Sequence, residues 1–352
     1  MARILYAVHG EGMGHATRSK VVIDYLLKKG HEVIIVSGDR AFDFLSKKFK
    51  NVYNIDCYKI IYENNSVQNI KTSIANIRKF PSALIKNFKQ LIKIIIKFEP
   101  EIVITDFEPF SNFISRFIKM PVIAIDNISM VNKGKVHIPL SEIHSYAVAM
   151  FITKLWMRIK ADKHIIPSFF NVELKDPERT VIIPSILRNE ILKAKPREGE
   201  HIIVYQTSIT NDSLLSELKK INEKFLIYGF DSNKKDKNLT FRKFDEKGFI
   251  SDLASCKALI ANGGFTTISE AIYLKKPILS IPVRKQFEQI MNASYVQKLG
   301  YGEYHKSVNR EKIQSFIEKL PGYRQNLGKY RHDSNKMLFR EVDTALSNLL
   351  KK

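Results

Sequence analysis

The sequence predicts an α/β protein built as two doubly wound domains, and three observations carry that prediction. The chain opens as β-α-β: an apolar run from Ile4 to Val8, a glycine-rich turn, a helix through Ala16 to Lys29, and a second apolar run from Val33 to Ser37. A fresh strand begins at Ile202 after a polar, lysine-rich stretch, Lys193 to Glu200, that reads as an interdomain linker. In the second half, the buried strand Ala258 to Ala261 hands over through Asn262-Gly263-Gly264 to a segment of helical spacing, Thr267 to Leu274. Strands alternating with helices build parallel sheets covered on both faces. The 352 residues also exceed what one core usually fills.

In order along the chain, Ile4 to Val8 leads into His9-Gly10-Glu11-Gly12-Met13-Gly14-His15. The glycine spacing matches a dinucleotide fingerprint poorly, because the third position is missing; a turn that sets His15 at a helix start describes it better. Gly30 ends that helix, and Asn51 to Tyr62 carries strand and loop signals. Ile70 to Phe98 is basic, with apolar residues at helical spacing (Ile74, Ile77, Leu84, Ile85, Phe88, Leu91, Ile92, Ile95) and a break at Pro81. It reads as two amphipathic helices packed on the sheet, or as a surface for an anionic membrane or a lipid-linked acceptor. Glu101 to Asp106 is a strand ending in an acid, followed by a helix to Lys119 and a strand, Val122 to Ile125, closed by Asp126. Residues 131 to 165 read as mostly helical, with Leu155, Trp156 and Ile159 in the apolar set, and Thr180 to Ile183 as a short strand. In the second half, Ile202 to Tyr205 runs into Gln206-Thr207-Ser208, whose hydroxyls lie at a strand's carboxyl end. Phe225 to Tyr228, Thr240 to Phe244 and Pro277 to Ile281 are further strands, Phe249 to Ser255 a short helix, and Tyr304 to Lys352 helical and charged.

The stretch from Ala261 to Ala293 organises the chemistry. Paired glycines at 263 and 264 let a backbone approach a ligand closely, and a helix N-terminus offers free N–H groups and partial positive charge to a diphosphate. Thr266 and Thr267 add hydroxyl donors, and Glu270 lies on the same side of the first turn, placed to accept two ribose hydroxyls. Taken singly, the Gly-Gly is also a tight turn, and Glu270 also a solvated helix-start carboxylate. A loop carrying Glu288, Gln289 and Asn292 follows the next strand. In an open α/β sheet, both loops open where ligands bind, at the carboxyl ends of the strands.

Gly264-Phe265-Thr266-Thr267-Ile268-Ser269-Glu270-Ala271, with Pro277, Pro282 and Glu288-Gln289-Ile290-Met291-Asn292-Ala293, resembles the donor motif of GT-B glycosyltransferases, especially the MurG-like and UDP-glucuronosyltransferase-like branches. The resemblance implies a GT-B fold, two Rossmann-like domains facing a cleft. Residues 1–190 would bind the acceptor and 200–335 the nucleotide sugar, with 336–352, including Met337 to Leu350, returning as a helix to the first domain. It also implies that Gly263, Gly264, Thr266 and Thr267 hold the diphosphate, Glu270 the ribose, and Glu288 and Gln289 the transferred sugar. Asn262 stands where many glucuronosyltransferase relatives carry a phosphate-contacting histidine; it can donate a hydrogen bond but carries no charge. Phe249 and Ile250 match a Phe-Ile pair that meets the base in the MurG-like pattern, in a shorter segment; a core phenylalanine is the other reading. Thr207 and Ser208 would reach the phosphates.

Glycosyl transfer needs a base for the acceptor hydroxyl, and His15 can serve as neutral imidazole. Asp106 is the acid best placed to orient it, because both follow strands of one parallel sheet, and plant-type glucuronosyltransferase relatives place a dyad aspartate after an equivalent strand. A helix-start polar residue and a helix N-cap are the plainer readings of these two. Gly12 and Gly14 shape the loop, and Thr17 and Arg18 are candidates for donor phosphate or acceptor, an early-helix arginine otherwise being solvated. One displacement of this kind inverts the anomeric centre. No Asp-x-Asp occurs, so no metal and no cofactor beyond the nucleotide sugar are expected.

The formal charge of +21 predicts attraction to anions, whether nucleotide diphosphate, anionic lipid or nucleic acid, unless the lysines merely solvate the surface. No nucleic-acid-binding signature accompanies it. Cys57 and Cys256 lack a paired spacing, and no run approaches the roughly 20 apolar residues of a spanning helix, so a cytoplasmic protein is expected, with peripheral attachment to the membrane as an open alternative. A nucleotide-sugar 2-epimerase of the same fold, and a non-catalytic polyanion- or membrane-binding protein, are the competing readings.

Overall fold

The computed structural model describes residues 1–57, 62–63, 66–67, 85–139, 142–156, 161–206 and 212–351; Thr207, Ser208 and residues 70–84 of the basic region lie outside them. The chain divides into two compact units, one of residues 1–61, 69–188 and 333–352, the other of 62–68 and 189–332. Residues 333–335 thus lie with the first unit and 62–68 with the second, where chain order alone had placed them otherwise.

The first unit's strands are β1 (Arg3–Val8), β2 (Glu32–Ser37), β3 (Val52–Asn54), then, after the short pair β4 (Tyr62–Glu63) and β5 (Ser66–Val67), β6 (Ile102–Asp106), β7 (Val122–Ile125), β8 (Lys163–Ser168) and β9 (Thr180–Pro184). Apart from β4 and β5, which pair with each other and belong to the second unit, the seven form a parallel sheet in the order β3-β2-β1-β6-β7-β8-β9. Strand alternation sends Ile4, Tyr6 and Val8 to one face and Leu5 and Ala7 to the other, and both faces are buried. On the first face the helix Lys336–Leu350 lays down Leu338, Val342, Ala345 and Leu346. Phe339 stacks on Tyr25 at 4.1 Å, and the Tyr25 hydroxyl donates to Asp343.

One expectation is corrected here. Residues 131–165 are not mostly helical: after the helix Ile143–Trp156, Lys163–Ser168 is an interior strand of the sheet. A four-residue apolar run such as His164-Ile165-Ile166-Pro167 has no period of its own, and pairing with β7 and β9 makes it a strand.

The second unit's strands are β10 (His201–Tyr205), β11 (Lys224–Tyr228), β12 (Lys235–Asp236), β13 (Leu239–Phe241), β14 (Ala258–Ala261), β15 (Ile278–Ser280) and β16 (Gly302–Tyr304), in the order β12-β13-β11-β10-β14-β15-β16. All pairs are parallel except β12 with β13. β13 stops at Phe241, not Phe244. Each sheet reverses its strand order once at its first strand, between β1 and β6 and between β10 and β14, which opens a crevice at the carboxyl ends there.

Candidate active site

In the first unit the reversal brings the turn after β1 beside the end of β6, in the register Val8 with Asp106. Gly12, at φ +89°, turns the chain into the helix Met13–Lys28, so His15 sits in its first turn, as does Gly14. Across the crevice Phe107 is held at φ +58°, an uncommon conformation for a bulky residue, and packs near the rings of His9 and His15. The His15 Nδ1 atom lies 2.8 Å from Asp106 Oδ1. It also lies 2.7 Å from Arg18 Nη2. A proton on Nδ1 is donated to the carboxylate and leaves Nε2 free to accept; the other tautomer accepts from Arg18.

Arg18 departs from its expected role. Its guanidinium is 4% exposed and grips both oxygens of Asp106, Nε on Oδ2 at 2.7 Å and Nη2 on Oδ1 at 2.5 Å, with Nη1 donating to Asn127. A bidentate, charge-assisted fork of this kind fixes a carboxylate in place and keeps the arginine from solvent. Ser19 donates to Asp106 Oδ2 as well. Burial pushes the Asp106 carboxyl up, but Arg18 and His15 outweigh it and hold it down at about 2. Thr17 also departs: its hydroxyl donates back to the carbonyls of Met13 and Gly14. His9 was not singled out from sequence; it follows β1 directly, lies edge-on to His15 at 5.1 Å, and is kept neutral by burial and by His15, its value lowered to about 3. Asp126 and Asn127, at the end of β7, complete this buried polar layer.

In the second unit the turn Asn262-Gly263-Gly264 joins β14 to the helix Phe265–Tyr273. Gly263 has φ +114°, and a Cβ there would stand 2.8 Å from the Gln289 carbonyl and 3.2 Å from Ser280 Oγ, so only glycine fits. Gly264 is the N-cap of that helix and brings no capping side chain, and the space its Cβ would occupy is open. Thr266 and Thr267 are half-buried beside it and Glu270 is buried, 2% exposed. Asn262 is buried too, its amide donating to Gln206 Oε1 and to the Ile281 carbonyl, so it ties strand ends together. Gln289 accepts from the Val283 N–H, and Asn292 donates to the Gly263 carbonyl, while Glu288 is half-buried in the first turn of the helix Phe287–Lys298. Beneath the turn, Gln206 Nε2, Ser269 Oγ and Ser280 Oγ are buried with no hydrogen-bond partner among the described residues. Phe249 and Ile250 are 2% and 7% exposed and belong to the core, because the helix Glu246–Ser255 turns them onto the sheet. Among the described residues no three His, Cys, Asp or Glu side chains converge as metal ligands.

This pairing of doubly wound sheets is the GT-B architecture of glycosyltransferases. Solved structures share it across almost the whole chain: *Acinetobacter baumannii* MurG with a TM-score of 0.62 at 12% identity (98% of this chain, 100% of that one), and *Phytolacca americana* UGT2, solved with UDP-2-fluoro-glucose and pterostilbene, with a TM-score of 0.68 at 13% identity (98% and 100%). Residues 2–321 match the family model of glycosyl transferase family 1, and the chain belongs to that family. A *Methanosarcina acetivorans* relative named as an uncharacterized glycosyltransferase is 25% identical over 332 residues, covering 85% of this chain and 84% of that protein. The *Clostridium botulinum* UDP-N-acetylglucosamine–N-acetylmuramyl-(pentapeptide) pyrophosphoryl-undecaprenol N-acetylglucosamine transferase is 22% identical over 377 residues, covering 97% and 95%.

Proposed function

We propose that this glycosyltransferase moves a hexosyl group from a UDP-sugar to an acceptor hydroxyl with inversion, and the observation that carries the reading is the His15–Asp106 contact at the crevice of the first sheet. The acceptor oxygen attacks the anomeric carbon, its proton passes to His15 Nε2, and the bond to the diphosphate breaks with its electron pair leaving on the phosphate oxygen. Asp106, ionised and immobilised by Arg18, favours the tautomer with the proton on Nδ1 and steadies the imidazolium that forms. The N-terminal turn of the helix Phe265–Tyr273, with the hydroxyls of Thr266 and Thr267, receives the leaving diphosphate, and Glu270 takes the ribose hydroxyls. In this reading the helix end supplies the positive field and no cation is required.

Calorimetry with UDP, TDP, GDP and ADP in EDTA tests the seat. Selective binding of UDP by the wild type, weakened by about ten- to 150-fold in Glu270→Ala as for lost charge-assisted hydrogen bonds, is the expected result. Equal affinities of wild type and variant would remove Glu270 from the seat, and binding that needs a divalent cation would remove the metal-free mechanism.

For the acceptor, the proposed partner is a lipid-linked molecule at an anionic membrane surface. Support comes from the exposed apolar residues Ile85, Ile92 and Ile96 on the helix 85–98 and Phe113, Phe117 and Ile118 at the neighbouring helix Pro109–Phe117. Ring contacts from Phe88 to Phe113 and on to Phe117 join the two helices. Lys86, Lys89, Lys93, Lys97 and Arg116 stand among them, the arrangement of an interfacial helix face. No helix among the described residues is long and apolar enough to cross a membrane. Co-sedimentation with phosphatidylglycerol-containing vesicles is expected to weaken about tenfold or more in Phe117→Glu/Ile96→Glu, since each change removes an inserting group and adds a repelled charge. Binding that survives the double change would refute this surface.

A further inference from the structure

His9 stands at the same sheet edge as His15 and has no part in the chemistry assigned above. It follows β1 directly, and its backbone N–H donates to the Asp106 carbonyl at 3.0 Å, so the β1–β6 ladder continues through it and fixes its place. Its ring meets His15 edge-on at 5.1 Å and Phe107 at 5.7 Å, and Phe107 stacks on His15 at 6.5 Å. Such ring pairs hold the plane of the imidazole. Its nitrogens are not used inside the protein. Neither makes a hydrogen bond among the described residues, yet neither is sealed, so the 7% of His9 that solvent reaches includes them. His164 gives the contrast: 3% exposed, with both ring nitrogens sealed and unpartnered among the described residues. A histidine covered almost everywhere that still leaves its nitrogens accessible can pair with a group arriving from solvent.

The spacing of the two imidazoles fits one such group. An oxygen bonded at about 2.8 Å to a nitrogen of each ring bridges nitrogens up to about 5.6 Å apart, which ring centroids 5.1 Å apart permit. A hydroxyl oxygen has two lone pairs, so while one attacks the anomeric carbon the other can receive an N–H. We propose that His9 is a second residue that holds the acceptor hydroxyl, donating its ring N–H to the oxygen whose proton His15 removes, an inference that rests on the general-base reading of His15. Neutrality suits this task. Burial first, and then the charge of His15, keep His9 unprotonated, so it holds the oxygen without setting a cation beside the imidazolium that forms on His15.

Release of UDP from a UDP-sugar tests the role, with water and glycerol as acceptors and UDP-glucose or UDP-N-acetylglucosamine as donor, whichever the wild type uses faster. His9→Phe keeps a ring against His15 and Phe107 and removes both nitrogens. His9→Asn and His9→Gln give up the ring and return an amide N–H near the places of Nδ1 and Nε2. In His9→Phe the transfer rate at saturating donor is expected to fall by about three- to tenfold, as for one lost hydrogen bond, with UDP affinity by calorimetry unchanged. One of the two amide variants is expected to exceed His9→Phe, because packing favours the ring and hydrogen bonding favours the amide. A phenylalanine variant as active as wild type, or more active than both amides, overturns the role of His9 and leaves His15 as the base; so does a loss of UDP affinity in step with the rate. A His15→Ala enzyme that transfers as fast as wild type refutes the base itself, and the role of His9 falls with it.

Discussion

His15→Ala should lower turnover by about 10² to 10⁴-fold, the range lost with a positioned general base, while UDP affinity stays within a few-fold of wild type. The imidazole lies in the first unit and the turn at Gly263 in the second, so removing the base leaves the diphosphate donors intact. Asp106→Asn should lower turnover by up to about 10⁴-fold for a different reason: the amide presents the wrong partner to His15 Nδ1 and selects the tautomer whose Nε2 carries the proton. The buried Arg18 is then left with a neutral partner, so this variant should also lose about 3–5 kcal/mol of stability, read as a lower unfolding midpoint. His15→Ala leaves the Arg18 fork on Asp106 in place, so its unfolding midpoint should fall less than that of Asp106→Asn. Single-turnover rates with saturating donor, set beside thermal midpoints, separate the two effects. A His15→Ala enzyme that turns over normally would end the general-base assignment, and a product with retained anomeric configuration would end the single-displacement mechanism.

The features legible in sequence were those encoded locally. A strand-turn-helix with glycines at 263 and 264 needs only neighbouring residues to be recognised, and the structure places a glycine-only conformation at 263 and the N-cap of a helix at 264. The contact of His15 with Asp106 was reachable because parallel strands gather their carboxyl ends on one edge, and β1 and β6 are adjacent. What escaped depended on partners distant in sequence. Arg18 resembles any solvated arginine of an early helix until Asp106, 88 residues on, arrives to bury it. Asn262 reads as a substitute for a phosphate ligand until Gln206 and Ile281 engage its amide. Phe244 and Phe249 are equivalent in composition and differ only in which ring the sheet covers. β8 was hidden because a short apolar run takes its conformation from the strands beside it.

Asp126 gives a stability prediction that depends on pH. It is fully buried at the end of β7, accepting from the Ser129 N–H and hydroxyl, and burial followed by the nearby negative charge of Asp106 raises its carboxyl from 3.8 to about 6. The folded state therefore holds this proton more tightly than the unfolded chain does. Its contribution is fully present below about pH 4 and is lost as pH rises through 6, a difference of 2.2 between those two values, or about 3 kcal/mol. Asp106 acts in the opposite window: held at about 2, its carboxylate stabilises the fold above pH 4, and that stability is lost as the pH falls through 2. Asn at position 126 keeps an acceptor for the Ser129 N–H and never ionises. The stability of Asp126→Asn relative to wild type should therefore climb by about 2–3 kcal/mol between pH 4 and pH 7, most steeply near about pH 5, midway between the unfolded and folded values, whatever offset separates the two proteins at pH 4. Urea unfolding of both at pH 4, 5, 6 and 7 measures the gap. A gap that stays constant would mean that Asp126 ionises as readily in the fold as out of it, and that neither burial nor the charge of Asp106 opposes its ionisation.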